Sequence, residues 1–148
     1  MKRISRILPL LALALGLAAQ APTQIKLKVK ELGSNPIRVG QLNLTIRNFQ
    51  PDTRISKRRV DLHLQNMTNE TARLALDELL IVGSNGSQSS LCGWSETFDG
   101  CTVHHLLPTQ PVLIAPGAYR DMSFFLEHSV KLPARIYMGR DLIAEVSE

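Results

Sequence analysis

Apolar and polar residues alternate with a period of two along most of the chain beyond its first two dozen positions. Ile25, Leu27 and Val29 are interleaved with Lys26, Lys28 and Lys30, which predicts a half-buried strand with its lysines in water. The pattern returns at 42–47, at 59–65 (with Val60, Leu62 and Leu64 inward) and at 119–126 (with Met122, Phe124 and Leu126 on one face). It closes the chain at 134–138 and 141–146, joined by a turn at Gly139 and Arg140. Gly33 to Pro36, Gln50 to Thr53, Asn66 to Thr71, Gly83 to Ser87 and Lys131 to Pro133 read as turns or breaks. Residues 72–82 are apolar-rich; their first part could wind into a helical turn, but the run into Gly83 favours a strand. Gln88 to Gly100 reads as a long polar loop, with Cys92 inside it and Cys101 at its end. Val103 to Leu107 reads as a short strand, and Val112 to Ile114 is an apolar run between turns. About seven to eight short strands in this order predict an all-β, immunoglobulin-like antiparallel sandwich. No helical period, internal repeat or low-complexity tract interrupts that pattern.

The first 19 residues depart from it. Lys2, Arg3 and Arg6 precede an uncharged apolar run from Ile7 to Leu15, closed by the small residues Gly16, Ala18 and Ala19. That order predicts a cleavable signal peptide over 1–19, cut after Ala18 or Ala19, and a single domain over 20–148. The apolar run is shorter than the roughly 18 residues a membrane span needs, so no stable membrane insertion is expected after cleavage. No cysteine precedes Cys92 to carry a lipid. Export into the periplasm or beyond a bacterial cell is the expectation. The leader holds three of the positive charges behind the formal net +4, leaving the domain near +1. So small an excess removes the main support for nucleic-acid binding. The local cluster Arg54, Lys57, Arg58 and Arg59 reads as a solvated turn before a strand. Aromatics make up 5% of the chain, so aliphatic side chains must fill the core.

An oxidising destination changes how the two cysteines are read. Cys92 and Cys101 are expected to pair, closing a loop worth roughly 2–3 kcal/mol in the chain-entropy model. Their spacing is too wide for a redox Cys-x-x-Cys site. Trp94 and Phe98 fall between them. Trp94 either folds over the sandwich edge as a lid or is displayed to a partner, and with Phe98 it is the candidate contact for an unidentified protein. His104 and His105 are the weak metal candidates; on a strand they would point to opposite faces. Copper handling could also draw on Met67, Met122, Met138, His63 and His128. Met122, sharing a strand face with Phe124, fits core packing better. No Gly-x-Ser-x-Gly elbow, phosphate loop, EF-hand or zinc-protease pattern occurs, so neither catalysis nor a cofactor is expected. Asn43, Asn66, Asn69 and Asn85 each open an Asn-x-Ser/Thr triplet; in a bacterial protein these read as turn and strand-surface residues.

Val60 to Glu70, then Leu79 to Gly86, a variable loop, Leu113 to Gly117, and Arg120 to Leu126 follow one another as strand, strand and turn, turn, and outgoing strand. In that order the chain resembles the bacterial DUF4352 family, which shares its fold with a small mycobacterial secreted immunogenic protein. The resemblance implies an exported immunoglobulin-like domain and carries over no catalytic residues. Gly93 to Phe98 ahead of Ala115 to Gly117 also looks a little like the immunoglobulin-like proteinase inhibitors of bacteria. The expectation is therefore an exported, non-enzymatic, protein-binding domain. A periplasmic copper- or metal-binding protein and a proteinase-inhibitor-like domain are the alternatives.

Overall fold

The structure is a computed structural model that describes residues 25–52, 57–92, 111–126 and 128–148. Eleven strands lie among them: β1 (Ile25–Lys28), β2 (Ile37–Val39), β3 (Leu42–Asp52), β4 (Lys57–Asn66), β5 (Ala72–Leu74), β6 (Leu79–Gly83), β7 (Gln88–Cys92), β8 (Val112–Ile114), β9 (Tyr119–Leu126), β10 (Ala134–Met138) and β11 (Asp141–Ser147). Short 3-10 turns occupy Val29–Glu31 and Leu76–Glu78.

Nine strands follow one another in the order β1-β11-β10-β6-β7-β9-β4-β3-β2. β7 is where this run folds into two layers. Its first part, Gln88 to Ser90, pairs with β6, whereas Leu91 and Cys92 pair with β9. β1, β11, β10 and β6 therefore make one layer, and β9, β4, β3 and β2 the other. The pairs are antiparallel except β1, which lies parallel to β11. β5 and β8 form a separate two-stranded sheet.

The period of two decides which side chains fill the interior. Leu44, Ile46, Leu62, Leu64, Phe124 and Leu126 from one layer are buried with Leu27, Ile81, Ile136, Ala144 and Val146 from the other. An all-β, sandwich-like arrangement, consistent with an immunoglobulin-like fold, is what the alternation predicts. Gly83 sits where the chain leading into β10 leaves no room: an added Cβ would lie 2.9 Å from the Lys131 backbone nitrogen and 2.9 Å from Val130 Cγ1.

Several local expectations need correction. Gln88 to Cys92 is a strand, not the start of a polar loop; Ser89 and Leu91 are buried, and pairing with two neighbours outweighs the polar composition. Pro51 does not break the chain, because β3 continues through it, opposite Arg58, at the end of the β3–β4 hairpin. Lys57, Arg58 and Arg59 belong to β4, and Arg54 lies outside the described residues. Residues 72–83 divide into β5, a 3-10 turn and β6 instead of one strand. The signal peptide and the strand expected over 103–107 lie outside the described residues.

Candidate interaction surface

The outward phase of β4 carries Arg59, Asp61, His63 and Gln65 between the buried Val60, Leu62, Leu64 and Asn66. Antiparallel register sets Arg59 opposite Phe125, Asp61 opposite Ser123, His63 opposite Asp121 and Gln65 opposite Tyr119. β3 approaches from the other side. Its pairing with β4 slips between Ile46 and Asn48, so Arg47 is the extra residue of a bulge. The bulge re-aims its side chain, and Arg47 reaches past β4 to β9.

Two neighbouring charge groups result. Asp121 Oδ1 accepts from Arg47 Nη1 at 2.9 Å and lies 2.7 Å from His63 Nδ1. A proton on Nδ1 makes the second contact a donation to the carboxylate and leaves Nε2 as the other ring nitrogen. The His63 side chain is only 18% exposed, and its ring lies 5.4 Å from that of Tyr119, which is 67% exposed. Beside this group, Arg59 Nε donates to Asp61 Oδ1 at 2.8 Å, and Arg59 Nη2 donates to Ser123 Oγ at 3.3 Å. Burial pushes the Asp61 pKa up. Hydrogen bonds from Arg59, Ser123 and Asn48, with the Arg59 charge, outweigh that and hold it below the usual carboxylate range. A shallow depression of about 260 Å³ lies among Arg47, Arg59, Asp61, Asp121 and Ser123, floored by Leu62 and Met122.

A second depression, of about 380 Å³, is lined by Val29, Lys30, Gln50, Pro51, Arg58, Leu132 and Glu148. Arg58 is anchored there: Nη1 donates to the Phe49 carbonyl at 2.7 Å and the guanidinium lies 5.2 Å from the Phe49 ring centre. Burial lowers the Arg58 pKa, and Glu148 acts in the opposite sense. Thus Arg58 is a half-buried packing element as well as a charge.

Of the cysteines, loop aromatics and adjacent histidines singled out from sequence, Cys92 is described. It ends β7, buried, with Sγ 3.3 Å from the Phe125 carbonyl oxygen. Cys101, Trp94, Phe98, His104 and His105 lie outside the described residues, and with them the expected Cys92–Cys101 pairing. Among the described residues, no three histidine, cysteine or acidic side chains are grouped to hold a metal. Met122 and Met138 pack against the core, whereas Met67 is exposed. Asn66 corrects the turn or strand-surface reading of its triplet: it ends β4 fully buried, because its side chain is satisfied by carbonyls and by Thr68 inside the fold.

Sequence reading missed Arg47, Arg59, Asp61, Asp121 and Tyr119 as a set and saw His63 only as a stray metal ligand. The signal available was the charged outward phase of two alternating strands. Nothing in the sequence states that strands so far apart in the chain are neighbours.

No family model matches the chain, and no curated protein does. Among solved structures it is similar to MPT63, a secreted protein of Mycobacterium tuberculosis, with 9% identity over 84% of this chain and 98% of that one, at a TM-score of 0.48. No helix among the described residues is long and apolar enough to cross a membrane.

Proposed function

We propose that the chain is an exported, non-enzymatic binding domain of the DUF4352-like type, which recognises a protein through the outer face of β3, β4 and β9 and the adjoining Cys92–Cys101 loop. The observation that carries this reading is the charge network laid flat across three strands, with Tyr119 at its rim. Side chains held by one another lose little freedom on binding, and an exposed aromatic beside ordered charges is the composition from which protein contacts draw their energy. The same groups support binding over catalysis. The Ser123 hydroxyl is engaged by Arg59 and Asp61, not by the His63 imidazole, so these groups form no nucleophile–base pair.

The root of the loop lies beside this face, because Cys92 pairs with Phe125, which stands opposite Arg59. Trp94 follows Cys92 by two positions, so a bridged loop would add its aromatics to the same contact. The test is partner recovery by the exported full chain. Trp94→Ala should weaken recovery with little change in melting temperature. A large fall in melting temperature with recovery unchanged would instead make Trp94 a lid on the core.

A further inference from the structure

β9 presents a second recognition element, its edge. Asn66 N donates to Ala118 O at 2.9 Å, which makes 66 and 118 a hydrogen-bonded pair of the β4–β9 ladder. Antiparallel ladders alternate such pairs. Residues 120, 122 and 124 therefore turn their backbone groups toward β4, and Tyr119, Asp121 and Ser123 turn theirs the other way. Among the described residues, β7 takes the far side of β9 at Phe125 and Leu126. Among the described residues, three N–H and three C=O groups at Tyr119, Asp121 and Ser123 thus face outward without a strand beside them.

The other outer strands of the two layers are protected. β1 is four residues long and carries exposed Lys26 and Lys28, and β2 has only three residues. The β9 edge has no proline, lysine or bulge. Its one charge at an inward register position is Arg120, opposite Leu64 and exposed. Arg120 is followed on the same side by the half-buried Met122.

We propose that this edge receives an extended segment of a partner protein as an added strand, with an acidic residue opposite Arg120 and an apolar residue two positions away, opposite Met122. The inference rests on the binding-domain reading above and names the class of partner. Charge complementarity selects the occupant, since opposite charges across a strand pair attract and like charges repel. The same rule disfavours a second copy of this chain. Two β9 edges paired antiparallel about Asp121 oppose two aspartates, and about Arg120 they oppose two arginines. Centred on Met122, they set Tyr119 against Phe125, which Cys92 already occupies.

Amide hydrogen exchange and peptide binding on the exported full chain test this. The probe is a synthetic peptide of about nine residues, long enough to span the edge, with threonine alternating with valine and one valine replaced by glutamate. Binding should slow exchange at Tyr119, Asp121 and Ser123. The matching lysine peptide should bind about five- to tenfold more weakly, and Arg120→Glu should reverse that preference. Ser123→Pro removes an outward N–H and should abolish binding. If that variant unfolds, N-methylation of the peptide amides that face β9 supplies the same loss. Slow exchange at these three amides in the unliganded monomer would mean that the chain covers its own edge, and would overturn the proposal. Slowing that rises with protein concentration alone would assign the edge to a second copy and overturn it too. Equal binding of glutamate and lysine peptides, or none of either, would do the same. Natural-partner recovery lost in Trp94→Ala but kept in Ser123→Pro would preserve the binding reading while removing the edge from it.

Discussion

Asp61 and Asp121 sit on the same sheet face and do different work. Asp121 bridges strands, holding Arg47 from β3 and His63 from β4 with one oxygen. It is half exposed, and exposed ion pairs are each worth little, about 0–1 kcal/mol. Its contribution is to fix where Arg47 and His63 stand. Asp61 is more enclosed, and its donors hold its pKa below the ordinary carboxylate value. A depressed folded-state pKa means that the charged form is the one folding favours. That stabilisation is complete above the unfolded value of about 4 and is lost as pH falls through the lowered folded value. Asp61→Asn should therefore flatten the acid limb of the stability–pH curve below about pH 4, as denaturant melts at a series of pH values would record. An acid limb identical to the parent's would show that the network leaves Asp61 no harder to protonate than a free carboxylate.

At the scale of elements, Asn66 joins pieces that the sheets alone leave separate. It closes β4 at an inward position with no exposure. Its Nδ2 donates to the carbonyls of Glu70 at 2.7 Å, Ile114 at 2.9 Å and Ala115 at 3.2 Å, and its Oδ1 accepts from Thr68 N at 3.0 Å and Thr68 Oγ1 at 2.8 Å. One side chain thus ties the end of β4 to its following turn, to β8 and to the turn before β9. Asn66→Asp loses the donors and sets a carboxylate against three carbonyls, so a loss of about 2–4 kcal/mol is expected; chemical denaturation would measure it. A loss below about 0.5 kcal/mol, the range of ordinary surface changes, would contradict the role. Read from sequence, Asn66 belongs to the turn after β4, because a polar residue beside Thr68 and Asn69 reads as turn chemistry and the carbonyls that satisfy it lie on distant segments. Strands such as β4, β9 and β10 were legible because burial on one face writes itself as a period of two. β7 was illegible because its five residues serve two sheets and include three polar ones. Pro51 misled because a proline at a hairpin end costs no ladder bond. The outer charged face could be read strand by strand, but its assembly depends on pairing between distant segments.

For the whole molecule, the division of labour runs between the two layers. β1, β11, β10 and β6 close the core from one side. β9, β4 and β3 close it from the other and also carry the charged side chains, the exposed Tyr119 and the outward backbone edge of β9, with Cys92 at the end of β7 beside them. On the proposed binding reading, the partner is met from the β9-β4-β3 layer, with the other layer as support. The most direct test of the proposed reading places a photoreactive residue at Gln65, beside Tyr119 on the charged face, or at Glu145, on β11 of the opposite layer, and cross-links the full chain to proteins that co-purify with it. Cross-links from position 65 and none from position 145 are expected. Cross-links from position 145 alone would contradict the account.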